Sequence, residues 1–230
     1  MPKTQVIIAA AGSGTRLGRD GAKALVPIAG TPMLARTLGR FRDAGLLDRC
    51  IVVVSEAHRA DVIACVQEFF PGYLIQFVLG GAERQDSVGN ALAALDPDTE
   101  IVAIHDAARP FVPVEAIQAS VRAAAEHGGA TVAVRCIDTI LEGDEEGFLH
   151  ATPDRRRMWA CQTPQTFRVE EIRAAYAQAR ADGFLGTDDA TVARRAGTRV
   201  QLVEGSLHNL KVTTPGDLQI AESLVREGVA

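Results

Sequence analysis

The sequence predicts an α/β protein: a mainly parallel sheet with helices on both faces, Rossmann-like in outline, plus a protruding β-arm. Three observations carry this. Runs such as Cys50-Ile-Val-Val-Val54 and Ile101-Val-Ala-Ile104 are apolar without alternation, as in strands covered on both faces. Stretches of helical periodicity alternate with these runs. One segment, 138–158, breaks the alternation with two short β-like pieces around an acidic tip bounded by Gly143 and Gly147.

Taken in order, strands are expected at 5–10, 50–55, 75–79, 101–105, 130–136 and 199–203. Helices are expected at 32–44, 58–70, 84–95, 113–127, 169–182, 188–196 and 215–226. Thr31 and Thr214 each precede a proline and suit the N-cap position. Asp217, three residues after Thr214, completes a capping-box pattern. Gly45 and Gly183 suit helix C-terminal stops. The arm, at about 137–158, pairs Thr139–Leu141 with Phe148–Thr152. An isolated hairpin is marginal in water, so it is expected to pack on a twofold partner's arm.

Composition narrows the function. The 230 residues, 47% hydrophobic and 23% charged, suit one domain spanning 1–230. A net charge of −5 argues against a nucleic-acid partner. No apolar run reaches membrane-span length, and the N-terminus enters a strand at once, which leaves no room for a signal peptide. Cys50, Cys65, Cys136 and Cys161 are far apart, with no C-x-x-C pair, which argues against zinc and for a reducing cytoplasm.

Residues 6–23, VIIAAAGSGTRLGRDGAK, carry the most chemistry. A buried strand runs into a loop whose Gly12, Ser13 and Gly14 let backbone N–H groups approach a phosphate. Arg16 and Lys23 then meet its remaining charge. Spacing excludes both the dinucleotide fingerprint and the P-loop, because position 17 is Leu17 and position 19 is Arg19. Pro27 and the turn at 29–32 delay the next helix, so Lys23 is expected on an extended, lid-like segment. Ligands of open α/β sheets lie beyond the carboxyl ends of the strands. Polar clusters follow several strands there: Gly80-Gly81 with Arg84 and Ser87, His105-Asp106-Ala107-Ala108-Arg109, and Asn209-Leu210-Lys211. Asp106 either caps a helix, pairs with Arg109, or holds a divalent cation such as Mg²⁺ beside substrate phosphates. No histidine pairs with a nucleophile motif, and no general base is assigned.

Together, Ala10-Ala11-Gly12-Ser13-Gly14-Thr15-Arg16 with Lys23, the Gly80 cluster, His105-Asp106-Ala107-Ala108-Arg109-Pro110, Thr163-Pro164-Gln165, Thr187-Asp188-Asp189 and Asn209-Leu210-Lys211-Val212-Thr213 resemble the cytidylyltransferases that act on 2-C-methyl-D-erythritol 4-phosphate. The resemblance spans nearly the whole chain. It implies a nucleotide-diphospho-sugar transferase fold and a homodimer with interlocked arms. It further implies transfer of CMP from CTP to a sugar-alcohol phosphate with release of pyrophosphate, in non-mevalonate isoprenoid precursor synthesis, and Mg²⁺ bound mainly through CTP. By the same resemblance Arg16, Lys23, Arg155 and Lys211 are catalytic, with Arg155 supplied by the partner's arm. Ala10, Ala11, Gly12, Gly14, Gly80, Gly81, Arg84, Ser87, Asp106 and Ala107 meet the nucleotide. Asp106, Arg109, Thr139, Arg155, Thr187 and Lys211 meet the acceptor. The nearest alternative is a ribitol 5-phosphate cytidylyltransferase.

Overall fold

The computed structural model describes residues 2–12 and 21–229. Gly14 and Arg16 lie outside the described residues. The chain opens with β1 (Thr4–Ala9), a two-residue ribbon of β2 (Pro27–Ile28) and β3 (Thr31–Pro32), and α1 (Met33–Asp43). It continues through β4 (Cys50–Val54), α2 (Arg59–Phe69), β5 (Gln76–Leu79), α3 (Arg84–Ala93), β6 (Ile101–Asp106), α4 (Val114–His127) and β7 (Gly129–Arg135). The arm follows as β8 (Glu142–Gly143) and β9 (Leu149–Ala151). The chain closes with β10 (Trp159–Arg168), α5 (Val169–Ala181), α6 (Asp189–Arg195), β11 (Val200–Glu204) and α7 (Pro215–Arg226).

Among the described residues a seven-stranded sheet runs in the order β11-β7-β10-β6-β1-β4-β5. β1 lies between β6 and β4 and is parallel to both; Val6 is opposite Ala103 on one side and Cys50 on the other. Successive β1 side chains serve opposite faces, which explains the unbroken apolar run. Val6 and Ile8 pack with Leu34, Leu38 and Phe41 on one face. Ile7 packs with Val88, Leu92 and Ile172 on the other.

The expected helices all form, and β1, β4, β5, β6, β7 and β11 answer the six expected strands. β10 is the correction. Its sequence, WACQTPQTFR, has no apolar run, and Pro164 argues against an interior strand. Yet β10 lies antiparallel between β6 and β7, with a break in register between Cys161 and Gln165 that spans the proline. Gln162, Thr163, Gln165 and Thr166 are buried there, each with polar partners, so tertiary hydrogen bonds replace the missing apolar signal.

The local signals at helix ends divide. Thr214 caps α7 with the expected box: its hydroxyl accepts from the Asp217 N–H at 3.2 Å, and Asp217 returns the bond to the Thr214 N–H at 2.8 Å. Thr31 caps nothing, because it pairs with Ile28 in the β2-β3 ribbon and Pro32 takes the N-cap position of α1. Gly45 and Gly183 have φ of +75° and +64°, the left-handed turn that ends a helix. Lys23 belongs to a short 3₁₀ turn, Lys23–Leu25, rather than to an extended segment.

The arm is a hairpin, with its first strand slightly later than expected: Glu142 pairs with Ala151 and Gly143 with Leu149. Ile137, Leu141, Phe148 and Leu149 are 62–69% exposed along it.

Candidate active site

A cavity of about 410 Å³ opens at the carboxyl edge of β1, β4 and β6. Its first wall is the chain leaving β1. The Ala10 N–H bonds to the Val53 carbonyl, so the backbone stays on the sheet edge for one more residue. Ala10, Ala11 and Gly12 then face the cavity with little side-chain bulk.

The second wall is the turn into α3. Gly81 donates its N–H to the Ser87 hydroxyl at 3.0 Å, and Glu83 and Asp86 close a reciprocal capping box. Asp86 is therefore a cap rather than a cavity residue. The two glycines are required by close approach. A Cβ on Gly80 would stand 2.9 Å from both Ala11 Cβ and Ser87 Oγ, and one on Gly81 would stand 2.3 Å from Asp86 Cβ. Gly81, Arg84 and Ser87 line the cavity, as do Ala82 and Glu83, which sequence reasoning missed.

The floor is Asp106 with Ala107 and Ala108, at the point where β6 ends. Lys211 extends from the segment before α7 and puts its ammonium 2.7 Å from Asp106 Oδ2. Arg84 Nε lies 3.6 Å from Asp106 Oδ1. Burial alone would push the Asp106 carboxyl up, but the Arg84 and Lys211 cations outweigh it and hold its pKa at about 2. Lys23 and Thr213 complete the rim. Thr213 stands two residues after Lys211, and that K-V-T run is its signal in the sequence.

Arg84 is itself gripped from behind. Its Nη1 and Nη2 donate to Asp189 at 3.0 and 2.8 Å, and the Tyr176 hydroxyl donates to the same carboxylate. Burial lowers the Arg84 pKa, but Asp189 and Asp106 more than reverse this and raise it. Asp189 stood in the T-D-D motif without a role, and nothing local marks Tyr176.

Arg109 does not line the cavity. Its guanidinium donates to the carbonyls of Asn209 at 2.8 Å and Cys161 at 3.2 Å. Asn209, fully buried, donates to Gln162 Oε1 and the Thr163 carbonyl. These bonds brace the turn that presents Lys211. The Arg109 expectation of direct acceptor contact thus meets a side chain turned into structure. Thr187, Thr139 and Arg155 are exposed and line no part of the cavity within one chain. Arg155 donates to the Ile137 carbonyl at the arm base, at 2.9 Å. Gly80 backs the wall without facing the space.

Among the described residues no cluster of three or more histidine, cysteine, aspartate or glutamate side chains is arranged to hold a metal. Asp106 is the carboxylate on the cavity floor.

A glycine-walled cleft with fixed cations, at the carboxyl edge of a parallel sheet, is the site of a nucleotide-handling α/β enzyme. The family model for IspD, 2-C-methyl-D-erythritol 4-phosphate cytidylyltransferase, matches residues 4–227. The chain belongs to that family. It is 43% identical over 225 residues to the 2-C-methyl-D-erythritol 4-phosphate cytidylyltransferase of Symbiobacterium thermophilum, covering 96% of this chain and 92% of the relative. It is 42% identical to that of Caldanaerobacter subterraneus, covering 96% and 98%. Among solved structures it is similar to 4-diphosphocytidyl-2C-methyl-D-erythritol synthase from Anaerococcus prevotii, with a TM-score of 0.86 at 30% identity, covering 98% of this chain and 99% of that one. The Thermus thermophilus 2-C-methyl-D-erythritol 4-phosphate cytidylyltransferase gives a TM-score of 0.80 at 33% identity, covering 98% and 100%. The nucleotide-diphospho-sugar transferase fold expected from the sequence is the fold these structures share.

Proposed function

We propose that the protein transfers CMP from CTP to 2-C-methyl-D-erythritol 4-phosphate, forming 4-diphosphocytidyl-2-C-methyl-D-erythritol and pyrophosphate in the non-mevalonate route to isoprenoid precursors. One observation carries the reading at the site: Lys23, Lys211, Arg84 and Asp106 share one cavity with the small-residue wall of Ala10, Ala11 and Gly12. An acceptor phosphate oxygen attacks the α-phosphorus of CTP, the bond to the β-phosphate breaks, and pyrophosphate leaves with the electron pair. A phosphate monoester has a second pKa of about 6 and is mostly dianionic near neutrality, so it needs no general base. The barrier is instead repulsion between anions, and cations fixed in advance lower it.

The residues match those roles. Lys23 is assigned to the triphosphate together with Arg16, which the resemblance pairs with it, and Lys211 to the acceptor phosphate. Gly81 and Ser87 form the wall assigned to the cytosine. A Cβ on Gly81 would collide with Asp86, so this part of the wall has to be glycine. Mg²⁺ fits the donor set: of the two carboxylates lining the cavity, Glu83 is engaged in the cap of α3 and Asp106 stands on the floor, and this ion commonly keeps one or two carboxylates plus substrate phosphates. When bound there it would neutralise phosphate charge.

The apolar arm supports a homodimer in which Arg155 and Thr139 reach the partner's cavity. The proposed setting is the cytoplasm. Among the described residues no helix is long and apolar enough to cross a membrane.

The test measures pyrophosphate release from CTP with 2-C-methyl-D-erythritol 4-phosphate or ribitol 5-phosphate as acceptor, with and without Mg²⁺. Faster turnover of the methylerythritol phosphate is expected. Preference for the ribitol phosphate would overturn the substrate assignment, and release in full without a divalent ion would remove Mg²⁺.

A further inference from the structure

Arg84 is positioned between two carboxylates, and Asp106 between two cations. The sequence along the wall is Tyr176, Asp189, Arg84, Asp106, Lys211, with charge alternating from Asp189 onward. Asp189 is fully buried, and it takes both terminal nitrogens of the guanidinium. A planar fork held at two points cannot swing without breaking both bonds. The Nε edge is left facing Asp106.

A bound triphosphate would attract both Arg84 and Lys211. Lys211 rests 2.7 Å from Asp106, and an acceptor phosphate competes with that carboxylate for its ammonium. Of the two side-chain cations beside Asp106, Arg84 is then the one that stays.

We propose that Asp189 and Tyr176 are positioning residues: they anchor Arg84 beside Asp106, so that Lys211 is released to the acceptor phosphate. The proposal rests on the function given above and deepens it. Arg84 becomes the standing partner of Asp106 rather than a clamp on the triphosphate. Tyr176 supplies a third donor to Asp189 and keeps that carboxylate turned toward the guanidinium.

The experiment compares Asp189→Asn, Tyr176→Phe, Arg84→Gln and the Asp189→Asn/Arg84→Gln double variant in steady-state kinetics, after thermal melting has verified folding. Asp189→Asn is expected to lower kcat by about 10- to 100-fold and to raise KM for the acceptor phosphate, while KM for CTP moves less than about threefold. Tyr176→Phe should move the same parameters by about three- to tenfold. Added to Arg84→Gln, Asp189→Asn should change little, because its effect passes through Arg84. Independent additive losses, or a change confined to KM for CTP, would overturn the proposal. A second readout needs no turnover. The guanidinium N–H signals of Arg84 in nitrogen-15 NMR should show hindered rotation in the wild type and lose it in Asp189→Asn; persistence of the hindered signals in the variant would also overturn it. If Asp189→Asn does not fold, Tyr176→Phe carries both readouts with its ring packing intact. An inactive wild type strikes the functional reading, and the NMR comparison still decides whether Asp189 anchors Arg84. An active wild type with uncoupled variants strikes the anchor alone.

Discussion

The Thr163 hydroxyl lies 2.9 Å from Nδ1 of the buried His105, whose other ring nitrogen fixes the direction of that bond. His105 Nε2 is 3.0 Å from the Arg109 carbonyl, which can only accept, so Nε2 carries the proton. Nδ1 then accepts from Thr163, whose oxygen in turn accepts the Asp106 N–H at 3.1 Å. A relay of three bonds thus fixes the backbone at the cavity floor from β10. It also commits both ring nitrogens, which agrees with a reaction that needs no histidine base.

The first prediction concerns acid stability. Burial pushes the His105 pKa down from 6.5 to about 4, against the smaller opposing effect of the Arg109 carbonyl. Between those values the unfolded chain binds a proton that the folded chain refuses, so stability falls as pH drops from about 6.5 to 4. The full loss is about 3 kcal/mol. Chemical denaturation at pH 7 and pH 4.5, in the absence of divalent ions, should show a steeper loss in the wild type than in His105→Gln. Equal slopes would remove His105 as the cause.

Lys23→Ala is expected to lower kcat by on the order of 10²-fold, the usual cost of losing one donor aimed at developing charge. The side chain lines the cavity from a short turn outside the sheet. Near wild-type turnover with CTP would take Lys23 out of the reaction.

Gly81→Ala should damage the nucleotide wall. Its Cβ would meet Asp86 Cβ at 2.3 Å, and Asp86 is tied to the backbone through its cap, so the start of α3 must shift. Overpacking of this kind costs about 1–3 kcal/mol. A raised KM for CTP together with a lower melting temperature is the expected outcome; an unchanged KM would mean that this wall does not hold the nucleotide.

The arm gives a test of assembly. Phe148 and Leu149 are 69% and 65% exposed, and Phe148→Asp with Leu149→Asp should convert a dimer into monomers in sedimentation. Mixing Arg155→Ala with Lys23→Ala protein should restore part of the activity if the arm acts across the interface. A wild type that sediments as a monomer would discard the interlocked arms.

Thr214→Ala should cost about 1 kcal/mol through the lost bond to the Asp217 N–H. Equilibrium denaturation checks this. Because Lys211 lies three residues upstream of the cap, an accompanying fall in kcat would show that the cap also steadies Lys211.

What was legible in the sequence was local. Alternating apolar runs and helical periodicity are enforced by which faces of β1, α1 and α3 must be buried, and that demand repeats every few residues. The box at Thr214, the stops at Gly45 and Gly183, and the placement of Lys23, Asp106 and Lys211 after strands or before helices were readable for the same reason. The tertiary structure alone decided the rest. β10 exists because β6 and β7 offer it unpaired backbone on both sides, which no property of WACQTPQTFR announces. Arg84 finds Asp189 across 105 residues, and Arg109 finds Asn209 across 100; pairings so distant depend on where the fold delivers each backbone, not on spacing along the chain. The sequence by itself determined which charges stand near the carboxyl edge. Only the folded chain decided which of them face the cavity and which are spent holding the others in place, because that choice is made by burial and by hydrogen-bond partners that meet after the sheet has formed.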